Sequence, residues 1–313
     1  MTIASSGDYL FTIGNGPVDA STGAAQLTYT ITNLRRDEVC QANDIVALPA
    51  ADSEDREYED DGSSPGIKTA LFSAEGDPCI YDNTGVLLVL LHWRQSGQAR
   101  WVPLLDTKRL RRLASGRKEE TYWPVAVAGG KFHCIILKGG DRSPYFPRPL
   151  LSEFPFDLPL HSPLAPDDIP AEGTEDDLER EQHQGEREVE KLEQSHGLAT
   201  LLLKLEEDRI EGRKAPSDQD LRKVMRKGIE VDKLLLQLLA VECRGGEERG
   251  MKALDLVKRL KDDGEDGKML EAAIKIADRF GRENLAAKIR TLAEDRLLGV
   301  ITADDDDDES ETL

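Results

Sequence analysis

The stretch "PCIYDNTGVLLVLLHW", Pro78 to Trp93, decides how the first half of the chain is read. Two short runs rich in β-branched and aromatic residues, "PCIYD" and "VLLVLLH", flank "DNTG", whose Asp, Asn and Gly are turn residues. Nothing helical separates them, so they read as neighbouring strands rather than parts of a βαβ unit. The same pattern repeats outward, through "DYLFTI", "QLTYTIT" and "TALFS" upstream and "RWVPLL", "TYWPVAVA" and "KFHCIILK" downstream. "AGGK" is the turn between the last two. Such a succession of short strands predicts a sandwich, barrel or propeller. Within it, "ADSEDREYEDDGSSPG" at residues 50–66 is acidic and has nothing to bury, which predicts a disordered loop.

Past residue 140 the sequence becomes proline-rich, in "RSPYFPRPLLSEFPFDLPLHSPLAPDDIP". Proline lacks a backbone donor and fixes φ, which excludes helix and central strand. This segment reads as an extended strap anchored by Phe146, Phe154 and Phe156, with an SH3-type ligand as the alternative. From "TEDDLERE" onward the periodicity is helical. The first predicted helix covers roughly 175–210, and the second opens at Ser217, where Asp220 completes an approximate capping box. Glycines in "RGGEE" stop the second, and "RGMKALDLVKRL" is the third. "KMLEAAIKIADRF" and "RENLAAKIRTLAEDRLLG" form a final hairpin around Gly281. The terminal "ADDDDDESETL" is a like-charge run that predicts a solvated tail. The expected organisation is a β domain over 1–160, a connector over 161–174, a helical bundle over 175–300 and the tail over 301–313.

Bulk properties narrow the function. The 313 residues carry a formal charge of −20, with 33% charged and 39% hydrophobic residues. Phosphate binding depends on Lys and Arg, so this field argues against nucleic acid as the main partner and favours basic or mixed-charge peptides. The one basic patch is "RLRRLASGRK", where Arg109, Arg111, Arg112, Arg117 and Lys118 could contact phosphate or lie solvated in a loop. Direct DNA binding through 109–118 is therefore the alternative function. Cys40, Cys79, Cys134 and Cys243 have no CxxC spacing and no histidine at ligand distance, the pattern of reduced, mostly buried thiols in an intracellular protein. The start of the chain has no signal-peptide pattern, and the longest apolar run is too short for a bilayer. Trp93, Trp101 and Trp123 alternate within predicted strands like core residues, and His92 and His133 read as packed or surface histidines. No nucleophile, acid–base pair or metal-ligand set emerges, so neither catalysis nor a metal or cofactor is expected.

The helical faces remain. On the second helix Val231, Leu235, Leu238 and Leu239 form an apolar stripe, with Leu236 and Ala240 on a neighbouring flank. Ala272, Ala273, Ile276 and Ala277 repeat that arrangement on the fourth. Both helices are apolar over more than the stripe an amphipathic surface helix requires. The alanines suit either close internal crossing or a shallow groove for a partner helix.

The order of these segments resembles a known family. "LFSAEGDPCIYDNTGVLLVL", "RWVPLLDTK", "YWPVAVAGGKFHCIILKGGDRSPYFPRP" and "FPFDLPL" are similar to the second propeller of the replisome adaptors. That family comprises the fungal minichromosome loss protein, the budding-yeast chromosome transmission fidelity protein and the animal acidic nucleoplasmic DNA-binding protein. "LLLQLLAVECRGGEERGMKALDLVKRL" and the final hairpin resemble its C-terminal bundle. The resemblance implies a partial β-propeller of two to three blades followed by about five helices. It also implies a non-catalytic nuclear scaffold at replication forks and on chromatin, supporting DNA replication and sister chromatid cohesion. Its bundle would capture short helical peptides of the GINS complex and of the DNA polymerase alpha catalytic subunit. Carried over to this sequence, the peptide-facing residues would be Leu236, Ala240, Ala273 and Ala277, with Ala272 and Ile276 as near alternatives because "DDGEDGK" blurs the register. In the family a WD-repeat propeller comes first, and the second propeller is six-bladed and forms a homotrimer. This sequence carries about half of that propeller and no WD-repeat domain, so it reads as a fragment or shortened gene model, and trimerisation stays open.

Overall fold

The computed structural model describes residues 2–18, 25–46, 66–110, 120–138, 141, 143–145, 150–159, 177–211, 215–245, 249–261 and 267–298. The chain divides into two compact units, one of strands and one of helices.

The strand unit holds three antiparallel sheets. The first runs β1 (Thr2–Ser6), β2 (Tyr9–Val18), β3 (Ala25–Asn33) and β4 (Glu38–Ile45) in spatial order, and the second β5 (Ile67–Phe72), β6 (Pro78–Asp82), β7 (Val86–Leu91) and β8 (Arg100–Asp106). The third has β9 (Glu120–Ala128), β10 (Lys131–Lys138) and β11 (Leu151–Pro155), with β10 in the middle. Each is a meander, and the leading strands lie side by side, β1 against β5 and β5 against β9. That is the arrangement of successive propeller blades, which close into a ring at four to eight blades. Among the described residues three are present, and the ring stays open.

Local chemistry sets the turns. Asp82 accepts bonds from the Val86 N–H at 2.7 Å and the Thr84 hydroxyl at 2.8 Å, which fixes the "DNTG" turn. Gly85 has φ 96°, and a Cβ there would lie 2.7 Å from Thr107 Oγ1, so the turn requires glycine. Gly129 and Gly130 both have positive φ, as a tight hairpin with two left-handed residues demands. The first two sheets share an aromatic core. Phe11, Ile31, Ile80 and Leu90 are fully buried, and Trp93 stands edge-on to Tyr9 at 4.8 Å between ring centres. Gln41, also buried, donates to the Trp93 and Gln95 carbonyls and ties β4 to the loop after β7.

Three strands were not legible in the sequence. β1 and β4 are short or polar, and β11 lies in the proline-rich segment, where an outer strand tolerates proline. His92 lies just past β7 with φ 52°, a turn position rather than a strand one. Trp123 is 37% exposed on the open face of β9, which corrects its reading as a packing residue.

The helical unit contains α1 (Asp177–Glu211), α2 (Asp218–Arg244), α3 (Gly250–Lys258), α4 (Lys268–Arg279) and α5 (Glu283–Leu297). Both halves of the capping box form at α2: Ser217 Oγ accepts from the Asp220 N–H, and Asp220 accepts from the Ser217 N–H. α2 packs against α3 and α4, and α5 closes the unit against α3 and α4. Among the described residues no helix is long and apolar enough to cross a membrane. The acidic loop at 50–65, the connector at 161–174 and the tail lie outside the described residues.

Candidate functional site: the α2–α4 flank

The core of the helical unit separates the residues singled out on α2 and α4. Val231, Leu235, Leu238, Leu239 and Cys243 project from α2 into one apolar cluster, where they meet Leu270, Ala273 and Ala277 of α4 and Leu285, Ala286 and Ile289 of α5. Ala273 and Ala277 have no exposed surface. Their small methyl groups permit close approach of α2 and α4, which pack directly together. This corrects their assignment as peptide-facing positions. A partner cannot touch them without opening the core, and a carboxylate placed at Ala273 would be buried rather than displayed.

The four other residues are placed differently. Leu236 and Ala240 on α2, and Ala272 and Ile276 on α4, are half-buried. Leu236 and Ile276 both border the core cluster from outside, on helices that pack directly together. Burial thus separates the two registers, with Ala273 and Ala277 in the core and Ala272 and Ile276 half-buried. Small and medium apolar side chains over a rigid floor, partly open to water, are what helix-in-groove recognition uses.

α5 holds this floor in place at two points. The Arg282 guanidinium, at the α4–α5 turn, donates to the Cys243 carbonyl at 3.2 Å and to the Gly245 carbonyl, so a cation covers the carbonyl end of α2. Arg296 donates to the Lys258 and Leu260 carbonyls at 2.6 and 2.7 Å and does the same for α3. Beside Arg282 lies a cleft of about 440 Å³, bordered by Glu242, Arg249, Met251, Asn284 and Lys288. Glu242 is buried, and Lys252 bridges it to Glu193 of α1 at 3.0 Å on each side. Partial burial works against the Lys252 charge, but the two carboxylates outweigh it and raise its pKa. Burial pushes the Cys243 thiol up, so it remains a packed thiol rather than a nucleophile.

Arg109 ends a single 3-10 turn over Thr107–Arg109, and Arg111, Arg112, Arg117 and Lys118 lie outside the described residues. Among the described residues no cluster of His, Cys, Asp or Glu could hold a metal ion. Cys79, Cys134 and Cys243 are buried free thiols, and Cys40 is half-buried.

Blade-like sheets followed by a helical bundle with a half-open apolar flank define a modular scaffold architecture, and comparison with known proteins places it. Residues 1–160 match the family model described as "Minichromosome loss protein, Mcl1, middle region". Residues 190–299 match "DNA polymerase alpha-binding protein Ctf4, C-terminal domain". The chain belongs to this family of minichromosome loss and DNA polymerase alpha-binding proteins. It is 38% identical over 287 residues to minichromosome loss protein 1 of Schizosaccharomyces pombe, a match covering 91% of this chain and 30% of that relative. Over 245 residues it is 31% identical to the DNA polymerase alpha-binding protein of Saccharomyces cerevisiae, covering 74% of this chain and 26% of the relative. A shorter match, 36% over 90 residues, joins it to WD repeat and HMG-box DNA-binding protein 1 of Xenopus laevis, with 28% of this chain and 7% of that relative covered. The chain thus spans less than a third of the length of each of these relatives.

Proposed function

We propose that this chain is a non-catalytic adaptor of DNA replication that acts in the nucleus, on chromatin. Its helical unit docks short helical segments of replication proteins. The observation that carries this reading is the pair of half-buried apolar patches, Leu236 with Ala240 and Ala272 with Ile276, on two helices packed over an alanine floor. The budding-yeast relative's name supports DNA polymerase alpha as one partner. The GINS complex is the second partner we assign, and sister chromatid cohesion the further process served. The strand unit would carry the bundle and, in a ring with its full set of blades, the trimer contacts.

The test is capture of the DNA polymerase alpha catalytic subunit by the full chain. Ala240→Glu with Ala272→Glu places two carboxylates on the half-open flank, where water still solvates them. Capture should fall at least tenfold while helicity and thermal unfolding stay unchanged. Undiminished capture by a folded double variant would refute the docking flank.

A further inference from the structure

The cleft beside Arg282 is separate from the docking flank, since none of Leu236, Ala240, Ala272 and Ile276 borders it. Its volume of about 440 Å³ is in the range of ligand-binding sites. Two helices begin on its rim, α3 beside Arg249 and α5 beside Arg282, and neither has a side chain capping its first turn. The first N–H groups of a helix have no intrahelical acceptor, and the dipole places partial positive charge there. Arg249 and Lys288, both exposed, add full charges at the same rim. Exposed Glu283 is the counter-charge there, while the Arg282 guanidinium is already committed to the α2 carbonyls. The wall of the cleft carries an unmet demand of another kind. Glu242 is 3% exposed; Lys252 pairs with its Oε1 at 3.0 Å, and its Oε2 has no hydrogen-bond partner among the described residues. Arg249 Nη1 lies 3.7 Å from Oε2, beyond hydrogen-bonding distance. A buried carboxylate oxygen left without a donor is costly. Lys252 balances the Glu242 charge, so a neutral N–H would meet the need.

We propose that this cleft binds a phosphoserine or phosphothreonine side chain of a partner protein. The phosphate would sit on the first-turn N–H groups of α3 and α5, between Arg249 and Lys288. The backbone N–H of the phosphorylated residue would donate to Glu242 Oε2, and its carbons would lie on Met251 and Leu285. A dianion with three acceptor oxygens uses both helix ends and both cations, whereas a carboxylate has fewer acceptors and half the charge. A cationic side chain would meet Glu242 but would be repelled by Arg249 and Lys288. The site stands whether or not the docking flank holds a helix. Where both are engaged by one partner, phosphorylation would add a second, linked contact and raise the overall affinity.

The experiment titrates the isotope-labelled full chain with N-acetyl-O-phosphoserine methylamide and follows backbone amide shifts by NMR. The unphosphorylated serine compound and inorganic phosphate run alongside. The phosphoserine compound should give saturable shifts at Gly250, Met251, Glu283 and Asn284, and the serine compound none. Inorganic phosphate, which lacks the N–H for Glu242, should bind at least tenfold more weakly. Arg249→Gln with Lys288→Gln should weaken binding at least tenfold with helicity unchanged, because both side chains are exposed. The Ala240→Glu, Ala272→Glu variant should bind the phosphoserine compound like wild type. The absence of saturable shifts, shifts confined to cations elsewhere on the surface, or undiminished binding by the Gln variant overturns the site. Inorganic phosphate bound as tightly as the phosphoserine compound overturns the phosphorylated partner. Loss of binding in the folded Ala240→Glu, Ala272→Glu variant overturns the separation of the cleft from the docking flank.

Discussion

The strand unit and the helical unit are held together by different means. Between the first two sheets the core is aromatic: Phe11, Tyr29, Phe72, Trp93 and Trp101 meet mostly edge-to-face, with ring centres 5.3–6.4 Å apart in the contacts that join them. Each blade is a flat element that gains stability only by stacking on the next, so large side chains fill the gap between sheets. The helical unit has a core of leucine and alanine, and Arg282 at the α4–α5 turn and Arg296 of α5 reach the carbonyl ends of α2 and α3. The first solution buries the aromatic rings between the first two sheets, while Trp123 on β9 stays exposed. The second leaves Leu236, Ala240, Ala272 and Ile276 half-buried, and that surplus is where the proposed partner helix would bind.

The sharpest way to break this contrast is to fill the alanine floor. Ala273→Glu would bury a carboxylate with no partner, and about 3–5 kcal/mol or more of helical-unit stability should be lost. Far-UV circular dichroism during thermal unfolding reads this as early loss of helix. A variant as stable as wild type would mean that α2 and α4 are not in close contact. Phe11→Ala removes a fully buried ring between two sheets and should cost about 3–5 kcal/mol, confined to the strand unit. Hydrogen exchange should then show β2 and β3 opening while the α2 and α4 amides keep their protection.

Arg282→Ala tests the stitching. Charged hydrogen bonds to two carbonyls contribute about 1.5–3 kcal/mol, and denaturant unfolding of the helical unit should shift by that amount. Arg282→Lys should recover only part of it, because lysine cannot reach both carbonyls with a planar fork. The smallest effect is expected at His196 on α1. Burial, and then the Arg259 charge, lower its pKa below the ordinary histidine value of 6.5. The unfolded chain therefore binds a proton more readily than the folded one just below pH 6.5. The helical unit should lose stability as pH falls through that window, with no contribution from this group above it. His196→Gln should flatten the acid side of a pH–stability profile, and an unaltered profile would show that another group governs it.

Much of this molecule was legible before folding. The apolar runs around "DNTG" and "AGGK" are β6, β7, β9 and β10, because a β-rich run between turn residues has few alternatives. The capping box at Ser217 and the glycine after Arg244 bound α2 correctly, since helix ends are set by neighbouring residues. β1, β4 and β11 were missed because pairing to a neighbour, not local propensity, makes them strands.

The sequence by itself determined the two-part character of the chain, the positions of its five helices and the apolar excess on α2 and α4. These are local properties, written in periodicity and capping. Only the tertiary structure decided between adjacent alanines. Ala272 and Ala273 are chemically identical and differ by one step of about 100° around the helix. That step puts one on the open flank and the other in the core. The same holds for charge. Composition gives a net charge of −20 that favours basic partners, yet helical geometry sets exposed Arg222, Arg226 and Lys233 within about 40° of one another on α2. Recognition responds to the few charges within a screening length of the site, and the fold selects which charges those are.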